Sequence, residues 1–158
     1  MTNAIHWPEW VPVAGHQLRV SGVHFDALRI QGVRGEQVAA ALIEATDGDA
    51  GPVICEATGF RWMYFLLAPG RARDHTWPLG VQRFGGAGCH TVTYIGVPAL
   101  NGNTWPLQWY SEPTPTAPYV DDAQLHAALD SGARPASPSS RTSTVDSDST
   151  DPARKGRP

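Results

Sequence analysis

The chain has 158 residues with twelve basic and fifteen acidic side chains, a formal net charge of −3 with histidines neutral, and that length suits one domain. The stretch from Ser131 onward carries five basic and three acidic residues, which leaves −5 on residues 1–130. An acidic body of that kind excludes a broad nucleic-acid-binding face, which needs clustered positive charge, and leaves room only for a local basic groove.

Residues 1–19 read as an N-terminal arm. Trp7, Trp10 and two flanking prolines suit a strap whose indoles cover the edge of a core. The opening "MTNAIHWPEW" has no apolar run behind a basic flank, and no segment is long enough to span a bilayer, so a cytoplasmic protein without a membrane partner is expected. "GVHFDALRI" (22–30) reads as a strand, with His24, Asp26, Leu28 and Ile30 on one face. Val38, Ala41, Leu42 and Ala45 then form a helical stripe. Glu36 favours the first turn and Gly48 lies just past the end, which predicts a helix over 35–46.

"GPVICEA" (51–57) and "FRWMYFLLA" (60–68) read as two strands of a hairpin turning at Thr58-Gly59. The second is apolar at every position from Trp62 to Leu67, so it belongs in the middle of a sheet covered on both sides. "GVQRF", the Gly-rich "GGAG" (85–88) and "CHTVTYIGV" read as a turn into a further strand. "TWPLQWY" (104–110) reads as an edge strand, because Pro106 cannot donate to a ladder. "YVDDAQLHAALDSG" reads as a helix capped by Asp121 or Asp122 and stopped by Gly132. Residues 131–158, rich in Pro, Ser, Thr, Asp and Arg, read as a disordered tail. The fold class is therefore α+β: residues 20–130 form one mostly antiparallel sheet with one or two helices packed on it.

The residues that could carry chemistry are few. Cys89 and His90 are adjacent in a strand-like stretch and point to opposite faces, so they do not make a nucleophile–base pair. Cys55, Cys89, His24, His75, His90 and His126 lack the spacing of a zinc motif. The "GGAG" glycines precede a β-branched run rather than a helix, which argues against a phosphate-cradling loop. His24 and Asp26, two apart on one strand, could bind a divalent ion or pair structurally.

Three stretches, "HFDAL", "TGFRWMYF" and "GVQRFGGAGCHTVTYIGVP", occur in an order that resembles the N-terminal domain of bifunctional DNA primase/polymerases, within the archaeo-eukaryotic primase superfamily. The resemblance covers residues 20–112. In that family a first strand carries D-x-D, and a hairpin strand carries a nucleotide-contacting histidine. A third motif adds an acid before a Gly-rich turn. Asp26 stands in the first motif, with His24 or Leu28 where its acidic partner would be. Thr58-Gly59, Arg61 and Tyr64-Phe65 fit the second, with Trp62 in the histidine's place. Arg83, Gly85-Gly86, Gly88 and Pro98 fit the third, with Val81 in the acid's place.

The resemblance thus implies a primase/polymerase-like frame with a degenerate catalytic set. It implies a nucleotide- or anion-binding site lined by His24, Arg61, Arg83 and His90, with Asp26 as the metal ligand. Mg²⁺ or Mn²⁺ enters only if the chain is an active nucleotidyltransferase with a relocated acid such as Glu56. A protein partner bound through the Trp105/Trp109 edge or the tail is the alternative.

Overall fold

A computed structural model of the chain describes residues 6–85 and 90–133. In chain order these form β1 (His16–Val20), β2 (Asp26–Gln31), α1 (Gly32–Ala45), β3 (Val53–Glu56) and β4 (Trp62–Leu67). A 3-10 turn (Arg71–Asp74), β5 (Val81–Phe84), β6 (Tyr94–Pro98), β7 (Leu107–Ser111) and α2 (Asp122–Ala133) follow. The architecture is α+β with antiparallel pairing throughout the described strands.

Five strands make the main sheet in the order β5-β2-β4-β3-β7. β4 is its centre, which is why this strand can be apolar on both faces. Met63, Phe65 and Leu67 point into one core with Leu28, Ile30, Val53 and Cys55, covered by Val38, Ala39 and Leu42 of α1 and Leu125 and Leu129 of α2. Tyr64 and Leu66 point the other way with Ala27 and Ile54. There they meet Ile95 and Val97 of β6 and Trp10 of the arm. The molecule is therefore layered as helices, sheet and ribbon.

The ribbon is β1 paired with β6, running from His16 opposite Pro98 to Val20 opposite Tyr94. It separates from the main sheet as a second, two-stranded sheet. Local pattern gave no sign of this: residues 16–19, read as arm, are most of a strand whose partner lies far along the chain. Trp10 does act as a strap, with 4 % of its surface exposed, its ring edge-on to Phe25 and its carbonyl accepting from the Arg19 Nε at 3.0 Å.

α1 starts at Gly32, earlier than the periodicity predicts, because β2 runs straight into it and Gln31 serves as both strand end and helix cap. Its seat on the sheet is close. A Cβ added at Gly35 would lie 2.7 Å from the Met63 Cγ and 2.8 Å from the Ile30 carbonyl oxygen. Helix propensity alone favours alanine over glycine by about 1 kcal/mol. Gly35→Ala is nonetheless expected to destabilise, by about 1–3 kcal/mol, because overpacking outweighs propensity. A urea titration reads the sign.

α2 is capped by Asp121, whose Oδ1 accepts the Gln124 N–H at 2.9 Å, and it continues through Gly132 to Ala133. The tail expected from 131 thus begins inside a helix, and residues 134–158 lie outside the described residues. So do Gly86, Ala87, Gly88 and Cys89. Among the described residues no helix is long and apolar enough to cross a membrane.

Candidate functional site

The residues expected to line one pocket do not converge on one. Asp26 opens β2 and Gln31 closes it, about 17 Å apart at ~3.4 Å per residue. Arg61 lies just before Trp62, the partner of Gln31, so it sits at the far end from Asp26. There it pairs with Glu36, Nη2 to Oε1 at 2.5 Å. His24 precedes the strand instead of sharing its face. It is exposed, and its carbonyl accepts the Tyr119 hydroxyl at 3.0 Å. Arg83 is exposed and stands opposite Leu28, on the helix-facing side like Asp26. His90 is exposed and, with Arg73, Ser21 and Gly85, borders a shallow cleft of about 450 Å³.

Asp26 itself is fully buried. Its Oδ2 accepts the Ala72 N–H at 3.1 Å and so fastens the 3-10 turn to the sheet, while Oδ1 has no partner among the described residues. The positions carried over from the family's motifs also divide between faces. Asp26 and Val81 look toward the helices and Trp62 toward the ribbon, because strand side chains alternate and the register puts Trp62 opposite Gln31. Glu56, the relocated-acid candidate, is opposite Trp62 and thus on the other face and at the other end from Asp26. No group of three or more His, Cys, Asp or Glu among the described residues is placed to hold a metal ion.

Two of the histidines weighed for zinc do meet. His75 and His126 stack with centroids 4.9 Å apart, and the His75 Nε2 lies 2.7 Å from the Asp122 Oδ2. Trp77 packs against both rings and donates its indole N–H to the Ala72 carbonyl at 2.6 Å. This cluster clamps the start of α2 to the 3-10 turn.

The richest polar arrangement lies on the ribbon face. Arg29 of β2, Tyr64 of β4 and Gln82 of β5 stand in one cross-strand row. The Arg29 guanidinium sits 4.1 Å over the Trp62 ring and 5.2 Å from that of Phe84, and its Nε donates to the Gln82 Oε1 at 2.7 Å. Tyr64 donates its hydroxyl to the Glu56 Oε2 at 2.8 Å, and Thr58 donates to Oε1 at 3.2 Å. Burial pushes the Tyr64 phenol above its usual range, and its bond to the Glu56 carboxylate adds to this, with Arg29 opposing both.

Glu56 and Tyr64 floor a cleft of about 280 Å³. Its walls are His16, Leu18 and Gly96 of the ribbon and Pro106 and Leu107 at the start of β7. The larger cavity, about 530 Å³ between α1 and α2, is lined mainly by Ala, Val and Leu and lacks such converging polar groups. The ribbon-face cleft can hold a ring between apolar walls and accept donors at Glu56, while Arg29 lies outside its lining, next to Tyr64 on the same face.

The sequence pointed to Glu56 only as a substitute acid and to Tyr64 only as part of a motif, and did not single out Arg29 or Gln82. The available signal was an arginine flanked by the apolar Leu28 and Ile30 within a strand. Its partners, however, are set by register between strands distant in sequence. At the β7 edge, Trp105 is 70 % exposed, whereas Trp109 turns inward to within 6.4 Å of Trp10.

No protein-family model matches the chain, and no similar protein is found among curated proteins or among solved structures.

Proposed function

We propose that the protein is a nucleotide-binding accessory module on a primase/polymerase-like frame, without polymerase chemistry. The observation that carries this reading is the ribbon-face cleft floored by Tyr64 and Glu56, with Arg29 paired opposite Tyr64 on the same face of the sheet. It combines a guanidinium held between two aromatic rings, a phenol and a carboxylate beside apolar walls, a set that suits a base at one end and a phosphate at the other. Nucleotidyl transfer is left out because Asp26 and Glu56 cannot share a metal ion from opposite faces of the sheet.

The test is a thermal-shift measurement with each nucleoside monophosphate in turn. A ligand at 100 times its Kd stabilises by about 2.7 kcal/mol, a rise of several degrees for a domain of this size. Arg29→Ala is expected to weaken binding by about tenfold or more, since hydrogen bonds to charged groups contribute about 1.5–3 kcal/mol. Primer-synthesis assays with Mg²⁺ or Mn²⁺ are expected to give no product. An unchanged melting temperature with every nucleotide would sink the reading. It would favour instead a protein-interaction module, for which the exposed Trp105 beside the β7 edge is the supporting feature.

A further inference from the structure

Resting on the nucleotide-binding reading, we infer that the cleft selects guanine among the bases. The two carboxylate oxygens of Glu56 are each held by one hydroxyl, Oε1 by Thr58 and Oε2 by Tyr64. A carboxylate oxygen has a second acceptor site, so the group stays oriented while both oxygens can take another donor. A fixed pair of acceptors matches two adjacent, parallel N–H donors.

Among the common bases only guanine carries such a pair on one edge, at its ring N1 and its exocyclic N2. Adenine and cytosine place an acceptor ring nitrogen beside their amino group, and that nitrogen would face a carboxylate oxygen. Uracil and thymine flank one N–H with two carbonyls. A carboxylate that meets acceptors where it needs donors loses its hydrogen bonds and adds repulsion.

The remaining walls agree with a flat ring. Leu18, 64 % exposed, and the buried Leu107 both line the cleft, so a base lying against them would cover apolar surface of Leu18 now in water. The volume, about 280 Å³, is just below the usual range for ligand clefts and suits a base rather than a whole nucleotide. Sugar and phosphate would then leave across β4. Arg29 lies two strands across from Glu56 and two residues along, about 12 Å away at ~4.8 Å per strand and ~3.4 Å per residue, on the same face. The chemistry recognised is thus a guanine with a 5′ phosphate, either as a free nucleotide or within a single strand.

The experiment is calorimetric titration of the full chain with GMP, AMP, CMP and UMP. A short single-stranded oligonucleotide with one guanine is titrated beside its adenine counterpart. GMP is expected to bind about 10–100-fold more tightly than the other three, the discrimination of one good bidentate contact. Tighter binding by the oligonucleotide than by GMP would assign the guanine to a nucleic acid, and the reverse to a free nucleotide; either order supports the inference when guanine is preferred. Glu56→Gln, which puts a donor where guanine needs an acceptor, is expected to abolish the preference. Should that variant fail to fold, Leu18→Trp narrows the cleft from an exposed position and is expected to weaken GMP tenfold. Equal affinity for all four nucleotides, a guanine preference that survives Glu56→Gln, or unchanged GMP affinity in Leu18→Trp overturns the inference and leaves the nucleotide reading standing. Absence of binding by any nucleotide overturns both.

Discussion

Phe65→Ala is expected to remove about 3–5 kcal/mol of stability, the largest effect of any single substitution considered. Phe65 lies in the middle of the central strand, opposite Leu28 on one side and Val53 on the other. Its ring is fully buried on the helix-facing side, in the core shared with Leu42 of α1 and Leu125 and Leu129 of α2. Truncation removes the transfer free energy of the ring and leaves a cavity bounded by five elements, which cannot all collapse onto it. With total stability of about 5–15 kcal/mol for a domain of this kind, the loss is a large share. The urea midpoint is expected to fall by about 2 M at an m-value near 2 kcal/mol/M, and a drop below 0.5 M would contradict the assigned packing. Phe65→Leu, which keeps most of the volume, is expected to cost less than about 1.5 kcal/mol.

Gly51→Ala is expected to cost about 2–5 kcal/mol through two independent effects. Gly51 has φ +85°, in the left-handed region where a side chain costs roughly 1–2 kcal/mol. Its absent Cβ would also stand 2.6 Å from the Tyr119 carbonyl oxygen and 2.9 Å from the Val120 nitrogen, both backbone atoms that no rotamer change can move. The contact matters because residues 113–120 form a strap across the sheet end. The Val120 N–H donates to the Leu66 carbonyl at 2.8 Å, and the Tyr119 hydroxyl reaches the His24 carbonyl. The strap is further tied at Asp49, which accepts from Thr114 and Thr116 and is thereby drawn below the usual carboxylate range. Hydrogen exchange at the Val120 amide separates this mechanism from general destabilisation. Protection there is expected to fall in Gly51→Ala before it falls at Phe65, and parallel loss at both sites would argue against a local strap.

The proposed ligand face gives these stability effects a functional consequence. Arg29 and Tyr64 form the pair next to Leu28–Phe65 in the same two strands, so loosening that core disturbs their register directly. Glu56 ends β3, and Gly51 and Pro52 lead into that strand. Stability and binding are therefore expected to be coupled in this domain. The comparison of Leu18→Trp with Phe65→Ala distinguishes loss of the cleft from loss of the frame.

Several elements were legible because local geometry imposes them. Strand side chains alternate with period 2 and helical ones with period 3.6, so Val38 and Leu42 marked α1, Leu125 and Leu129 marked α2, and the unbroken apolar run of β4 marked a central strand. The hairpin at Thr58-Gly59 was legible from its turn residues. Those features settled the α+β class. They did not settle β1, whose five residues show no usable alternation and become a strand only because β6 pairs with them. Nor did they settle the site. Asp26 looked available beside His24, but the strand begins at Asp26 and the 3-10 turn closes over it.

Sequence by itself determined the periodicities, the identity of the central strand and most of the core, since each depends on neighbours within a few residues. Only the tertiary structure decided which side of the sheet each polar residue occupies and what it meets there. The physical reason is register. A shift of one residue in the pairing of β2 with β4 would exchange the two faces, and that register is set by the packing of α1, α2 and the ribbon together rather than by either strand alone.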